Sequence, residues 1–455
     1  MPVLKSKNKS VNPAATIVLS FAAIIAVGTI LLIMPFSSAN GSFTDPLTAV
    51  FTATTATCVT GLVLVDTGTY WSTFGQIVIL LMIQIGGLGF VTLVSFFNFL
   101  VRKKMELRSI QVASESVNTS GFSDVKLLVR YVIGISVVCE LVGAALLATV
   151  FVPEYGLYGA YISIFVAVSA FCNAGIEILG AVETPYCSLT GFSDNPVVMT
   201  VVPLLIIAGG LGFLVWMDII GFRKKKKLTL QSKIVLIFTA ILIAVGTLLT
   251  LITEWDNPLT LGNMGFGGKL VNSFFHSVSL RTAGFNTVDV SAMYSITKLV
   301  SIFLMFIGAA PGSTGGGIKI TTFAIIIMTV VSVIKNKEDT VILNRKIDKE
   351  SVYKSLAIII LAALATSVSG IILFYSNPGA DISGIDAAFE AVSAISTSGI
   401  SVGVSAASGS LSRIILCLSM FIGRVGPVSF AISLSVKRDR RSKNEVYPEG
   451  KMMVG

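Results

Sequence analysis

Four five-residue stretches, each with glycine in fourth place, are the residues in this chain best suited to handling an ion. They are Cys58-Val59-Thr60-Gly61-Leu62, Cys172-Asn173-Ala174-Gly175-Ile176, Arg281-Thr282-Ala283-Gly284-Phe285 and Ser396-Thr397-Ser398-Gly399-Ile400. They bring few charged side chains, and what they share is backbone. Stripping a monovalent ion of its water costs on the order of tens of kcal/mol in the Born limit. Rings of carbonyl oxygens can replace that hydration, and glycine permits the backbone angles that turn successive carbonyls toward one axis. The candidate cation-binding positions are therefore Val59, Thr60 and Gly61, Asn173, Ala174 and Gly175, Thr282, Ala283 and Gly284, and Thr397, Ser398 and Gly399.

Two further features bear on an ion path. The run Gly308-Ala309-Ala310-Pro311-Gly312-Ser313-Thr314-Gly315-Gly316-Gly317, followed by Ile318 and Lys319, interrupts an apolar stretch. So many glycines with a proline exclude a stable helix interior. It superficially resembles a phosphate loop, yet it lacks the Gly-Lys-Ser/Thr ending and no strand precedes it. Arg424 lies in the middle of another apolar stretch. A central arginine costs a few kcal/mol in a bilayer, so it is expected to face a water-filled cavity; an internal ion pair with Glu140 or Glu390 is the structural alternative. Glu140 and Glu390 themselves read as buried, hydrogen-bonded carboxylates, Arg281 as a brace behind its loop, and His276 as a residue of packing or of a pore-helix hydrogen bond rather than a ligand. No HExxH, no G-x-S-x-G and no acid–base cluster points to an enzyme. The five cysteines have neither CxxC nor metal spacing.

The elements that must position these residues repeat. FTATTATCVTGL, FVAVSAFCNAGI, FFHSVSLRTAGF and FEAVSAISTSGI each place a Phe ten residues before the glycine: Phe51 and Gly61, Phe165 and Gly175, Phe274 and Gly284, Phe389 and Gly399. Successive glycines lie 114, 109 and 115 residues apart, which is internal repetition. A second glycine motif repeats downstream: IGGLGF at 85–90, AGGLGF at 208–213, IGAAPG at 307–312 and IGRVGP at 422–427. Tight helix packing accounts for these second glycines, but not for the one that closes each short segment. A helix of about a dozen residues is roughly 18 Å long against a hydrocarbon core of about 30 Å. It must enter, stop and return, and irregular backbone at that depth needs protein or water around it. Four such stops imply one central cavity, with helix carboxyl ends facing it and favouring a cation.

Composition agrees. The chain has 455 residues, 54% hydrophobic and only 13% charged, with a net charge of +9. A soluble protein is nearer a quarter charged. Spans are expected near 13–36, 75–100, 126–152, 196–221, 232–253, 296–334, 352–375 and 411–436, with only the sixth broken. The first is too long for a signal-peptide core. The fold class is thus an all-α integral membrane protein: eight transmembrane helices in four helix–pore-loop–helix repeats around one pseudo-fourfold pore. The repeats are 1–110, 111–228, 229–348 with the loop 308–317, and 349–455. Basic residues precede the first span (Lys5, Lys7, Lys9). They also follow the second (Arg102, Lys103, Lys104, Arg108), fourth (Arg223 to Lys227), sixth (Lys335, Lys337, Arg345, Lys346, Lys349) and eighth (Lys437, Arg438, Arg440, Arg441). The positive-inside rule puts both termini in the cytoplasm of a multi-pass cell-membrane protein.

The motifs TATCVTGL, SAFCNAG, RTAGFNTVD and STSGIS, within four helix–pore–helix units, resemble the Trk/Ktr/HKT family of cation transporters over essentially the whole chain. Length and the lack of an additional N-terminal helix pair make the chain resemble the Ktr membrane subunit (KtrB-like) rather than the longer Trk type. The resemblance implies potassium uptake, often aided by sodium, with K+ as the transported ion. Glycine at all four filter positions goes with potassium selectivity in that family. It implies that Gly312, Ser313, Thr314, Gly315, Gly316, Gly317 and Lys319 belong to an intramembrane gating loop, and that Arg424 is a pore constriction. It further implies a membrane homodimer and a separate cytoplasmic nucleotide-binding regulatory ring subunit (KtrA-like). A sodium or less selective monovalent-cation transporter, and a solute carrier with broken helices, are the alternatives.

Overall fold

The computed structural model describes residues 13–89, 125–377 and 382–434. Lys5, Lys7, Lys9, the cluster Arg102 to Arg108, the cluster Lys437 to Arg441, Phe90 and the last part of the expected second span lie outside the described residues. The described residues are almost wholly helical, with one small antiparallel hairpin among them that pairs Val341–Ile342 with Arg345–Lys346.

Each repeat opens with a long apolar helix: α1 (Pro13–Ile33), α4 (Val125–Tyr155), α8 (Leu230–Thr253) and α12 (Lys349–Tyr375). Among the described residues, these regions supply the four helices long and apolar enough to cross a membrane. Their outer faces expose Leu19, Ile30, Leu141, Leu248, Leu364 and Ile371, as expected of a surface whose solvent is lipid.

A short helix follows each: α2 (Pro46–Cys58), α5 (Leu157–Cys172), α9 (Phe266–Ser279) and α13 (Gly384–Ser396). These are buried inside the protein, threonines and serines included: Thr55, Thr57, Ser169, Ser279 and Ser393 have no accessible surface. Polar side chains are thus buried at the centre together with apolar ones such as Phe51, Phe165 and Phe389. The turn between α4 and α5 is a single residue, Gly156, at φ +60°. Gly159 then lies so close to the Phe151 carbonyl that a side chain there would strike it.

The second helix of a repeat does not run straight through. α3 (Thr73–Leu88) ends at Gly89. α6 (Pro196–Gly210) gives way to α7 (Phe213–Lys225). α10 (Ser295–Phe306) is separated from α11 (Ile320–Ile334) by the glycine-rich loop. α14 (Ser410–Val425) stops at Gly426, before α15 (Pro427–Leu434). The sixth span is therefore broken as expected. The fourth corrects the expectation of a continuous helix over 196–221, because its two halves are bent by 95°. The physical cause is a glycine at the end of each motif. Gly89, Gly212 and Gly426 stand at φ +81°, +87° and +94° with extended ψ, a conformation that a residue with a Cβ rarely adopts.

Candidate functional site

The four predicted stretches meet at one place. The first, second and fourth are launched by a left-handed cap at the end of the short helix, and the third by a left-handed residue three positions past Ser279. Val59, Asn173, Thr282 and Thr397 take left-handed backbone at φ +55°, +60°, +66° and +53°. The residue after each closes onto the helix: Thr60 N donates to Thr55 O (2.9 Å), Ala174 N to Ser169 O (2.7 Å), Ala283 N to Ser279 O (3.0 Å) and Ser398 N to Ser393 O (2.8 Å). This is the hydrogen-bonded left-handed stop of a helix C-terminus. Four non-glycine residues in that region at equivalent positions mark a strained, repeated device.

The glycines that follow form a closed ring. At Gly61 a Cβ would sit 2.6 Å from the carbonyl oxygen of Ala174, in the second repeat. At Gly175 it would sit 2.5 Å from that of Ala283, in the third, and at Gly284 3.2 Å from that of Ser398, in the fourth. At Gly399 it would overlap the carbonyl of Thr60, which closes the cycle. Each glycine thus leaves room for the neighbouring repeat's carbonyl, in the order one, two, three, four, one. Positive φ at all four positions (+103°, +65°, +85°, +77°) adds a second reason for glycine. All twelve predicted filter residues lie in this assembly.

On the side of the connections that follow the glycines, the ring opens into a cavity of about 430 Å³ lined by all four glycines and by Asp66, Glu177 and Asp289. In the sequence Glu177 flanks the second stretch and Asp289 ends the motif RTAGFNTVD, but that they gather with Asp66 at one mouth shows only in three dimensions. Asp66 accepts hydrogen bonds from Thr69 N (2.8 Å) and Tyr186 N (2.8 Å) and so pins two connections together.

On the opposite side lies the loop 308–317. Its stalks pair, with Gly308 N donating to Ile318 O (2.8 Å) and Ile320 N to Ala309 O (3.2 Å). The bend of the fourth span is its seat. Ala310 N donates to Gly210 O (3.1 Å), Thr314 N to Gly209 O (3.3 Å), and Phe213 N to Gly312 O (2.9 Å). Trp216 takes up the Ala208 carbonyl through its indole N–H at 2.8 Å. Breaking two helices frees backbone groups that lipid could not satisfy, and the two breaks satisfy each other. Lys319 folds back, its Nζ donating to Gly315 O at 2.8 Å.

Arg424 binds carbonyls, not carboxylates. Its guanidinium donates to Thr314 O in the loop, to Gly86 O, and to Gly87 O at 3.2 Å. The expected alternative partners are engaged elsewhere. Glu140 accepts from Gln84 Nε2 at 3.0 Å across the first two repeats. Glu390 accepts from Ser401 Oγ (2.7 Å), Ser405 N (3.0 Å) and the Ser405 hydroxyl. Arg281 points away from the ring, with Nη1 donating to Thr239 O at 3.1 Å, as a brace should. His276 Nε2 shares a hydrogen bond with Ser301 Oγ at 3.2 Å.

The first glycine of each second motif is explained here too. A Cβ at Gly86, Gly209 or Gly423 would collide with the carbonyl of Thr57, Phe171 or Ile395, at the end of the repeat's own short helix. In the third repeat Gly308 instead meets Gly316 of its own loop.

Residues 4–445 match the family model of the TrkH cation transport proteins. The chain belongs to the TrkH family of cation transport proteins. Members are multi-pass membrane transporters, not enzymes. This TrkH-family chain is 38% identical to the potassium/sodium uptake protein NtpJ of Enterococcus hirae, over all of both chains. It is 36% identical to Ktr system potassium uptake protein B of Bacillus subtilis, over 98% of this chain and 97% of the relative. The crystal structure of the potassium transporter TrkH from Vibrio parahaemolyticus has the same fold, with a TM-score of 0.72 at 16% identity, covering 95% of this chain and 87% of that one.

Proposed function

We propose that this chain is the ion-translocating membrane subunit of a Ktr-type potassium uptake system. Potassium passes through the ring at Thr60–Gly61, Ala174–Gly175, Ala283–Gly284 and Ser398–Gly399, and the loop 308–317 with Arg424 closes the path beneath it. The cyclic fit of four glycines against four neighbouring carbonyls carries this reading. It supports a ring to which every repeat contributes backbone oxygens, which is the chemistry that replaces a monovalent ion's hydration. The carboxyl ends of four short helices converge there and favour a cation. The carboxylates at the mouth raise its local concentration.

On this reading the second helices count as spans despite their breaks, giving eight crossings in repeats 1–110, 111–228, 229–348 and 349–455. The basic clusters then lie in the cytoplasm together with both termini. The name of the Enterococcus relative favours sodium as an accompanying or alternative ion. The name of the Bacillus relative supports a multi-component system, within which a membrane homodimer and a cytoplasmic nucleotide-binding ring subunit are the proposed partners. Rubidium and sodium tracer uptake into proteoliposomes, with an amino-acid control, tests the function. Rubidium flux blocked by potassium more strongly than by sodium is expected. Equal competition would favour the unselective transporter, and amino-acid flux alone the solute carrier.

A further inference from the structure

The polar residues just beneath the ring are engaged by the gating loop. In three repeats the left-handed residue that opens the filter is polar, and each of the three meets the loop. Gly316 N donates to Thr397 Oγ1 at 3.1 Å. Thr314 Oγ1 donates to Phe171 O at 3.1 Å and lies 3.3 Å from the Asn173 amide, which in turn is 3.3 Å from Thr282 Oγ1. Either orientation of the Asn173 amide keeps it between Thr314 and Thr282. Gly315 packs so closely on the Thr282 hydroxyl that a side chain would strike it. The fourth such residue, Val59, has no polar atom to offer. On that side Arg424 makes the tie instead, joining the loop to Gly86 and Gly87.

We infer that Thr397 is shared between the gate and the permeant ion, so that loop docking and occupancy of the innermost cation position exclude one another. The inference rests on the pore reading above. A hydroxyl oxygen accepting the Gly316 N–H has that lone pair turned to the loop. When the loop leaves, the same oxygen is freed to face a cation or its water at the inner end of the ring. Cation binding there then favours the undocked loop, because a ligand shifts an equilibrium toward the state it binds better. The fully buried position of Thr397 leaves no other solvent to compete for that oxygen while the loop is docked.

Rubidium flux in proteoliposomes holding the full chain, without any cytoplasmic partner, tests this. Thr397→Val removes the acceptor at constant shape. It should raise the maximal flux about threefold to tenfold, the loss of one hydrogen bond from the docked state, and also raise the half-saturating rubidium concentration. Thr397→Ser keeps the hydroxyl acceptor and should therefore shift flux and half-saturation less than Thr397→Val does. Thr314→Val loosens the loop without removing the Thr397 oxygen, so it should raise flux and lower the half-saturating concentration, because a weaker docked state competes less with the cation. Hydrogen exchange across 308–317 supplies a second readout. Exchange should quicken in saturating rubidium relative to choline in the parent, and lose that response in Thr397→Val. A valine variant with parental or lower maximal flux, or with raised flux at unchanged half-saturation, would overturn the sharing, as would rubidium-insensitive exchange in the parent. If the parent carries a different cation, the pore reading's selectivity fails while the same comparisons are read with that cation.

Discussion

The ring of glycines and the level two residues beneath it treat the four repeats in opposite ways. At the glycines the repeats are interchangeable: each has positive φ and each receives the next repeat's carbonyl where its own Cβ would be. One level down, Asn173, Thr282 and Thr397 bind or abut a loop that only the third repeat owns, Val59 does not, and Arg424 from the fourth repeat fills in. The backbone is the common currency of the ring, so side chains could drift apart there without harm. A plug comes from one side, so its contacts are made by side chains that differ. Under the pore reading, selectivity is symmetric because an ion at the centre sees all four repeats, whereas closure is asymmetric because one loop suffices.

The largest effect is expected from breaking the ring. Gly399→Ala places a methyl on the Thr60 carbonyl and should lower rubidium flux by about tenfold or more, since one displaced carbonyl spoils the whole ring. Gly403 lines the same cavity and also has positive φ, yet a Cβ there meets nothing. Gly403→Ala should cost about 1 kcal/mol of backbone strain and leave flux near parental. A comparable loss of flux in both would mean that strain, not ring closure, is what matters. Breaking the plug should act in the other direction. Arg424→Ala removes three hydrogen bonds from the inner side and should raise flux several-fold, or change cation discrimination, in the tracer assay. Unchanged flux and selectivity would remove Arg424 from the gate.

The symmetric part was legible in the sequence and the asymmetric part only partly so. The Phe-to-Gly spacing finds the short helices because burial and a helical stop recur in every repeat. The break at 307–319 is equally visible, because proline and clustered glycines cannot be helix. The 95° bend at Gly210–Phe213 was missed. AGGLGF differs little from IGGLGF, and the two glycine roles in these motifs, close packing and chain reversal, have the same letter. Gly212 permits the turn of the fourth span, and the docked loop holds it by giving Gly210, Gly209 and Phe213 their hydrogen bonds. That is a tertiary contact about a hundred residues away in sequence. The convergence of Asp66, Glu177 and Asp289 was invisible for the same reason, because the three belong to separate connections.

The bend supplies a middle-sized test. Gly212 stands at φ +87°, and a Cβ there would lie 2.7 Å from Pro311 O. Gly212→Ala should cost about 1–3 kcal/mol in strain and disturb the seat of the loop, raising resting rubidium flux. Gly89 has similar backbone at the end of α3 but lies outside the hydrogen bonds that hold the loop. Gly89→Ala should therefore lose similar stability with a smaller change in resting flux. Equal flux changes would show that the bend of the second repeat has no special tie to the gate.

The smallest effects are expected at the far ends of the short helices, where the repeats again divide. Asp45 accepts from Thr48 N at 3.0 Å and Ser383 from Asp386 N at 3.1 Å, whereas Gly156 and Gly265 begin their helices with no side-chain cap. Asp45→Ala or Ser383→Ala should cost about 1 kcal/mol, read as a lower unfolding temperature in detergent. The two glycines differ from each other in a way that fixes opposite outcomes. Gly265 has ordinary extended backbone at φ −64°, ψ 163°, and a Cβ there meets nothing, so Gly265→Ser should gain a few tenths of a kcal/mol by supplying the missing cap. Gly156, at φ +60° and ψ −137°, also has open space around it. Its backbone nevertheless excludes a side chain, and Gly156→Ser should destabilise by about 1–3 kcal/mol. Stabilisation of both would mean that the single-residue turn between α4 and α5 relaxes to an ordinary cap, and that its tightness is not what aims α5 back toward the ring.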